Sequence, residues 1–403
     1  MIVSVIGGGA AGFFAAISAK KHNPNAVVTL YEKSDKILAK VKVSGGGRCN
    51  VTNGCSDVNE LIKAYPRGGK KLKKAFFTFN TTDTVNWFES RKVPLTLQDD
   101  GCYFPVSQDS QTIIDCLISE TIKLDIKVKT SFGIDEIAKN EQNWTLVCKR
   151  NDITFTSDKV IITTGGSPKL SGLDWLKNLG HKIEFPVPSL FTFNMPDEIV
   201  RELMGVVVEK AKVTIIDTKL KSDGPLLITH WGMSGPAILI LSAFGARELS
   251  DKQYVFKIKV NWVDEIQEDK VRTQLESLEK EFALKKIVKI RPYQLPERLW
   301  NLILQKADIN LERKWNEIGK KKINKLVNLL TQDEYKVRGK TTFKEEFVTC
   351  GGVSLKDIDM NTMQSKVCEG IYFAGEVMDV DAITGGYNFQ AAWSTGFVAG
   401  KLN

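Results

Sequence analysis

The run Ile2-Val3-Ser4-Val5-Ile6-Gly7-Gly8-Gly9-Ala10-Ala11-Gly12 decides the fold. Its first five residues are mostly apolar and β-branched, the composition of a buried strand, and Phe13 to Lys21 beyond the glycines has helix-forming composition. A second apolar run, Val27 to Tyr31, ends at Glu32. Strand, tight turn, helix and strand in this order open a parallel sheet with a right-handed crossover. Gly7, Gly9 and Gly12 keep the G-x-G-x-x-G spacing, and Glu32 stands twenty residues past the last of them. Such glycines let backbone approach a pyrophosphate, whose charge rests on the unpaired N–H groups and positive end of the following helix. Glu32 accepts from a ribose hydroxyl and so favours an adenosine without a 2′-phosphate.

NAD and FAD share this fingerprint, and two later segments favour FAD. Ser44-Gly45-Gly46-Gly47-Arg48-Cys49-Asn50 follows the second strand. Its glycines, Gly45 first, let a loop pass close to a flat ring, and Arg48 offsets phosphate charge. Near the other end, the strand Ile371 to Ala374 runs into Gly375-Glu376, and Tyr387 to Gly400 reads as a closing helix. Glu376 is placed to accept from ribitol hydroxyls, while the N–H groups of Asn388 and Phe389 aim at the flavin ring, where the reduced form carries negative charge. A simple NAD dehydrogenase has no use for this last segment.

Composition narrows the class. The chain of 403 residues is 42% apolar, long enough for two or three compact units. No apolar run is long enough to span a bilayer, and the opening residues read as a strand, not a signal peptide. Seven cysteines at irregular spacing, without a C-x-x-C pair, argue against a disulfide framework and suit a reducing cytoplasm. Three scattered histidines (His22, His181, His230) argue against zinc. The net charge of +8 comes largely from dispersed lysines, which reads as a solvated surface and against nucleic acid as a partner.

The pattern along the chain implies an α/β protein with a discontinuous Rossmann-type domain. Residues 1–189 form its first part, with helices over Thr81 to Lys92 and Gln108 to Lys123, a β-meander between Ile126 and Thr156, and a strand over Lys159 to Thr164 ending at Gly165. Residues 190–263 read as an inserted antiparallel β domain, with runs at Val206 to Glu209, Lys212 to Asp217 and Tyr254 to Val260. Residues 264–336 read as a small helical insertion, 337–347 as a return strand, and 348–403 as the second part of the first domain.

In combination, GGGAAGFFAA, LAKVKVSGGGRCNVTN, FPVS, THWGMSGPAILILSA, LPERLW, TCGGVSLKDIDMNTMQSK and GIYFAGEVMDVDAITGGYNFQAAWSTGFVAGK resemble the bacterial FAD-binding family that includes aminoacetone oxidase and the BaiN-type bile-acid reductases. The resemblance runs over nearly the whole chain. It implies an FAD domain interrupted by a β-barrel and a small helical domain. It also implies FAD contacts from Gly7, Gly9, Ala11 and Gly12, from Glu32, Lys33, Lys40, Ser44 and Arg48, and from Glu376, Asn388 and Phe389. Gly45, Gly165 and Gly375 join these as backbone that passes close to the cofactor, and Ile134 as a backbone contact to adenine. Where the family usually carries an arginine before Tyr103-Phe104-Pro105, this chain has Cys102.

These readings imply an FAD-dependent oxidoreductase acting on a small organic substrate, with NAD(P)H or oxygen as redox partner. The sequence lacks a second dinucleotide fingerprint, so a nicotinamide would bind transiently or at the flavin face. His230, Tyr387 and Cys49 are candidates for proton transfer, each with packing or cofactor contact as its alternative, and no catalytic residue is singled out. The rival reading is a flavin-bearing RNA-binding or RNA-modifying protein, motivated by the lysine-rich insertion.

Overall fold

The computed structural model describes residues 1–341 and 348–403. The chain forms two compact units, one of Met1–Ser189 with Phe343–Asn403 and one of Leu190–Thr342.

The first unit is built on five parallel strands: β1 (Ile2–Ile6), β2 (Val27–Tyr31), β3 (Lys127–Lys129), β4 (Lys159–Ile162) and β5 (Ile371–Phe373), in the spatial order β5-β4-β1-β2-β3. Val3, Val5, Leu30, Ile161 and Phe373 are fully buried, as expected of a parallel sheet covered on both faces. Two short antiparallel strands, Ile358–Asp359 and Gln364–Ser365, extend it beyond β5. Helix α1 (Ala10–His22) packs on helix α3 (Tyr387–Ala399), with α2 (Ala39–Gly47) between them in sequence. Small residues set the α1–α3 distance: a Cβ on Gly396 would lie 2.7 Å from the Ala11 carbonyl oxygen, and one on Gly400 2.5 Å from that of Ala15. Trp393 of α3 is fully buried, 5.0 Å from the ring of Phe14 in α1, and donates its indole N–H to Val51 O at 2.9 Å. The meander consists of Glu136–Lys139, Trp144–Cys148 and Ile153–Ser157.

The second unit holds a seven-stranded sheet in the order Asp333–Arg338, Val255–Asn261, Val207–Ile215, Lys221–Ile228, Gly232–Ser234, Thr192–Asn194, Lys340–Thr341. Its two end strands are separated in sequence by Gly339 alone. That residue donates to Tyr254 O at 2.9 Å and accepts from Asn194 N at 3.1 Å, so the ribbon meets itself there. Helices Glu268–Glu281, Glu297–Lys306 and Gly319–Thr331 share one apolar core with the sheet: Leu275, Trp300 and Leu326 belong to the same cluster as Ile215 and Ile258.

Several local expectations are corrected. The glycine loop at Ser44 is the end of α2, whose helical backbone breaks at Ser44, Gly45 and Gly46. The runs Val206 to Glu209 and Lys212 to Asp217 are one strand, Val207–Ile215, with a register shift between Val208 and Ala211. The strand Lys221–Ile228 was hidden by Asp223-Gly224-Pro225, which locally spells a turn. The return strand starts earlier than expected, at Asp333, and its residues 342–347 lie outside the described residues.

Candidate cofactor site

The glycine turn after β1 has two kinds of glycine. Gly7, at φ +112°, is pressed against Thr163, since a Cβ there would lie 2.5 Å from its carbonyl oxygen. A Cβ on Gly9 would meet no atom within 4 Å. A Cβ on Gly46, Gly47 or Gly165 would likewise meet no atom within 4 Å. Backbone is therefore unobstructed at glycines of three separate segments, which fits a bound group approached closely by backbone.

The charge pattern fits an anion. Gly9 caps α1 without a side-chain hydrogen bond, and no acidic residue stands in the first turn. The unpaired N–H groups and the helix dipole favour a phosphate there. Beside it, Glu32 accepts from Gly8 N at 2.8 Å and from Ser34 N and Oγ at 2.9 Å. Both Ser34 bonds fall on Oε1, so Oε2, which accepts only from Gly8 N, is the oxygen with a further lone pair for a ribose hydroxyl. Phe132 N donates to Glu32 O at 2.8 Å, which brings the segment carrying Ile134 alongside, and Gly133 packs on the Cβ of Lys33.

The late segment closes on this turn. A Cβ on Gly375, at φ +75°, would lie 2.8 Å from the Cβ of Ala11, and its N–H donates to Thr395 Oγ1 at 2.9 Å. Glu376 accepts from Lys40 Nζ and from Thr349 N, both at 2.7 Å, so α2 and the end of β5 are tied together. The first turn of α3 begins at Gly386, again without a side-chain cap or an acidic residue. Two uncapped helix ends thus belong to one unit, one suited to a pyrophosphate and one to a ring that gains negative charge on reduction. The residues present fit FAD.

Some expected groups are committed elsewhere. The Asn388 amide accepts from Ala382 N at 3.0 Å and donates to Ala382 O at 3.1 Å, leaving its backbone N–H for the site. Phe389 stacks on Trp393 at 5.7 Å. Arg48 lies over the Phe104 ring at 4.2 Å and donates through Nε to Gly45 O at 3.1 Å, which fixes the glycine break. Ser44 donates to Val41 O at 3.0 Å.

The proton-transfer candidates in this unit are weak acids. Burial pushes the Cys49 thiol up to about 12 and the Tyr387 hydroxyl up to about 12. Cys102 is raised to about 11, again mainly by burial. His230 lies in the second unit, in the turn before Gly232–Ser234, its ring 4.7 Å from that of Trp231.

Sequence reading missed a buried polar network behind α3. Thr52 Oγ1 and Thr84 Oγ1 both donate to Gln390 Oε1, at 2.5 and 2.9 Å, and Ser394 donates to Phe79 O at 2.6 Å. It also missed Arg67, paired with Asp381. Gln390 in an otherwise apolar helix was the available signal, because a buried amide needs partners.

A family profile described as "HI0933-like protein Rossmann domain" matches residues 1–402. The chain belongs to that family. Like the HI0933-like flavoproteins it is an FAD-dependent oxidoreductase, and among its described residues no helix is long and apolar enough to cross a membrane. It is similar to a Clostridium scindens protein named 3-dehydro-bile acid delta(4,6)-reductase, 25% identical over 411 residues, or 99% of this chain and 98% of that one. It is also similar to the Escherichia coli ribosomal RNA dihydrouridine synthase, 29% identical over 98% of this chain and 96% of that one. Among solved structures, the 3-ketosteroid delta1-dehydrogenase of Sterolibacterium denitrificans shares the fold, with a TM-score of 0.51 and 12% identity over 99% of this chain and 98% of that one.

Proposed function

We propose that this HI0933-like protein reduces a carbon–carbon double bond conjugated to a carbonyl group in a small organic substrate, using NAD(P)H as a transient reductant. The observation that supports the reading is the close approach of Gly375 to Ala11, with the uncapped starts of α1 and α3 in one unit. The proposed cofactor contacts are Gly7, Gly9, Ala11, Gly12, Glu32, Lys33, Lys40, Ser44, Gly45, Arg48, Ile134, Gly165, Gly375, Glu376, Asn388 and Phe389. FAD, when bound, supplies hydride chemistry. The chain holds it: the first turn of α1 neutralises phosphate, Glu32 and Glu376 accept from sugar hydroxyls, and the first turn of α3 favours the anionic reduced ring. Two relatives support the bond type, since both a Δ4,6-reduction beside a 3-oxo group and the conversion of uridine to dihydrouridine saturate a double bond in conjugation with a carbonyl.

A second reading makes that double bond a uracil within RNA. It is favoured by charge: residues 190–342 carry 27 Lys and Arg against 21 Asp and Glu, six of the eight net positive charges of the chain. The experiment is anaerobic. The flavin is reduced with NADH or NADPH and then offered a soluble enone, a uridine-containing single-stranded RNA, or oxygen. Fast reoxidation by the enone supports the first reading, and salt-sensitive reoxidation by RNA alone the second. Reoxidation by oxygen only, with stoichiometric peroxide, would replace both with an oxidase.

A further inference from the structure

Asp381 is fully buried in the loop between β5 and α3. Its carboxylate accepts from Arg67 Nε at 2.5 Å and from Arg67 Nη2, and from Ser189 Oγ at 2.7 Å; Ser189 Oγ in turn accepts from Arg67 Nη2 at 3.3 Å. The three residues come from distant parts of the chain: the turn before helix Gly69–Thr78, the end of strand Ile183–Ser189, and the loop itself. Burial pushes the Asp381 carboxyl up, and the Arg67 charge pulls it down.

A buried ion pair of this kind is a poor source of stability, because desolvating both groups offsets most of their attraction. What it supplies is geometry. Arg67 and Asp381 also pair through their backbones, and Ile383 N donates to Ala64 O at 3.0 Å, so the loop is pinned at Asp381 and again two residues later. Between those points lies Ala382, whose N–H and C=O are both held by the Asn388 amide. Asn388 is the second residue of α3. An unbroken series of contacts therefore runs from Arg67 and Ser189 through Asp381 and Ala382 to the first turn of that helix.

We propose that Asp381, held by Arg67 and Ser189, is a positioning residue that aims the N–H groups of the first turn of α3 and thereby sets the reduction potential of the bound flavin. This rests on the reading above that α3 faces the flavin ring. The N–H groups and dipole of a helix start favour the reduced, anionic ring only while the axis points at it. Loosening the loop costs that preference without removing any group that touches the cofactor.

The test measures the midpoint potential of the FAD-loaded protein, its FAD dissociation constant, and thermal unfolding of the apoprotein. Three variants are compared: Ser189→Ala, which keeps both charges, the double substitution Arg67→Met/Asp381→Leu, which keeps the net charge, and Asn388→Ala. The expected result is a more negative potential in all three, equivalent to an about two- to fivefold weaker preference for reduced over oxidised flavin. Apoprotein unfolding stays close to that of the unaltered chain in Ser189→Ala. A shift in Asn388→Ala alone would overturn the role of Asp381 while leaving the site reading intact. No shift in any of the three, with Asn388→Ala still binding FAD normally, would overturn both. Should the double variant not fold, Ser189→Ala decides.

Discussion

Gly12 presses against the carbonyl of Gly7 so closely that a methyl group on Gly12 would lie 1.9 Å from that oxygen and 2.8 Å from Thr163 Oγ1. Nothing comparable restricts Gly9 three residues earlier, whose backbone is extended at φ −92° and ψ −170°. Packing alone forbids a side chain at Gly12, whereas at Gly9 only a bound group would.

Gly12→Ala and Gly9→Ala therefore separate. The first forces backbone apart and destabilises the protein by about 1–3 kcal/mol, read as a lower unfolding midpoint of the apoprotein. Gly9→Ala leaves that midpoint unchanged but weakens FAD binding by about tenfold or more, a loss of about 1.4 kcal/mol of affinity. Equal FAD affinity in Gly9→Ala and the unaltered chain would count against a pyrophosphate at this turn.

Cys49 offers a chemical probe. It is fully buried, and burial pushes its thiol up to about 12, whereas Cys55 and Cys368 are partly exposed. In mildly alkaline buffer an alkylating reagent is expected to modify Cys55 and Cys368 and to spare Cys49 until the protein unfolds, as peptide mapping by mass spectrometry would show. The thiol is raised in the folded state, so its contribution to stability is full below the ordinary value of 9.0 and is lost as pH rises toward about 12. Cys49→Ala should flatten that alkaline loss.

Glu120 gives the opposite sign. Burial pushes its carboxyl up, but hydrogen bonds and charge from Lys123 and Arg91 outweigh this and hold it below the usual 4.5. Arg91 Nε stands 2.8 Å from its carboxylate and Lys123 Nζ 3.1 Å. A depressed carboxyl stabilises the fold above its unfolded value and loses that contribution as pH falls through the folded value. The urea midpoints of the unaltered protein and Glu120→Gln should thus differ near neutrality and converge below 4.5. A gap that stays constant with pH would show that the carboxylate charge contributes nothing.

Gly339 is the single residue between the two end strands of the second unit, at φ +99°. Gly339→Val places a β-branched side chain in a conformation that costs about 1–3 kcal/mol. The expected readout is a lower unfolding midpoint followed by the fluorescence of buried Trp262 and Trp300.

Much of the cofactor unit could be read from the amino acids in order. β1 and β2 announced themselves because short runs rich in β-branched residues abut glycines and Glu32, signals carried by neighbouring residues. The residues fixed by distant partners did not. Asp381 stood in a motif that drew notice, but its partner Arg67 is 314 positions away, and no periodicity links them. Lys221–Ile228 failed for the same reason: Asp223-Gly224-Pro225 favours a turn locally, and pairing with Val207–Ile215 overrides it. α2 was concealed because its last residues are glycines, which carry no helical preference.

Strand β5 lies between β4 and the short antiparallel extension, yet the whole of Leu190–Thr342 separates it from β4 in sequence. A nascent polypeptide that has not yet passed Phe373 holds β4 with one edge bare, and bare edges invite wrong pairing. It also lacks Glu376 and the whole of α3. On the site proposed above, flavin loading waits until β5 and α3 are both in place, so a chain cut before Phe373 is expected to be colourless.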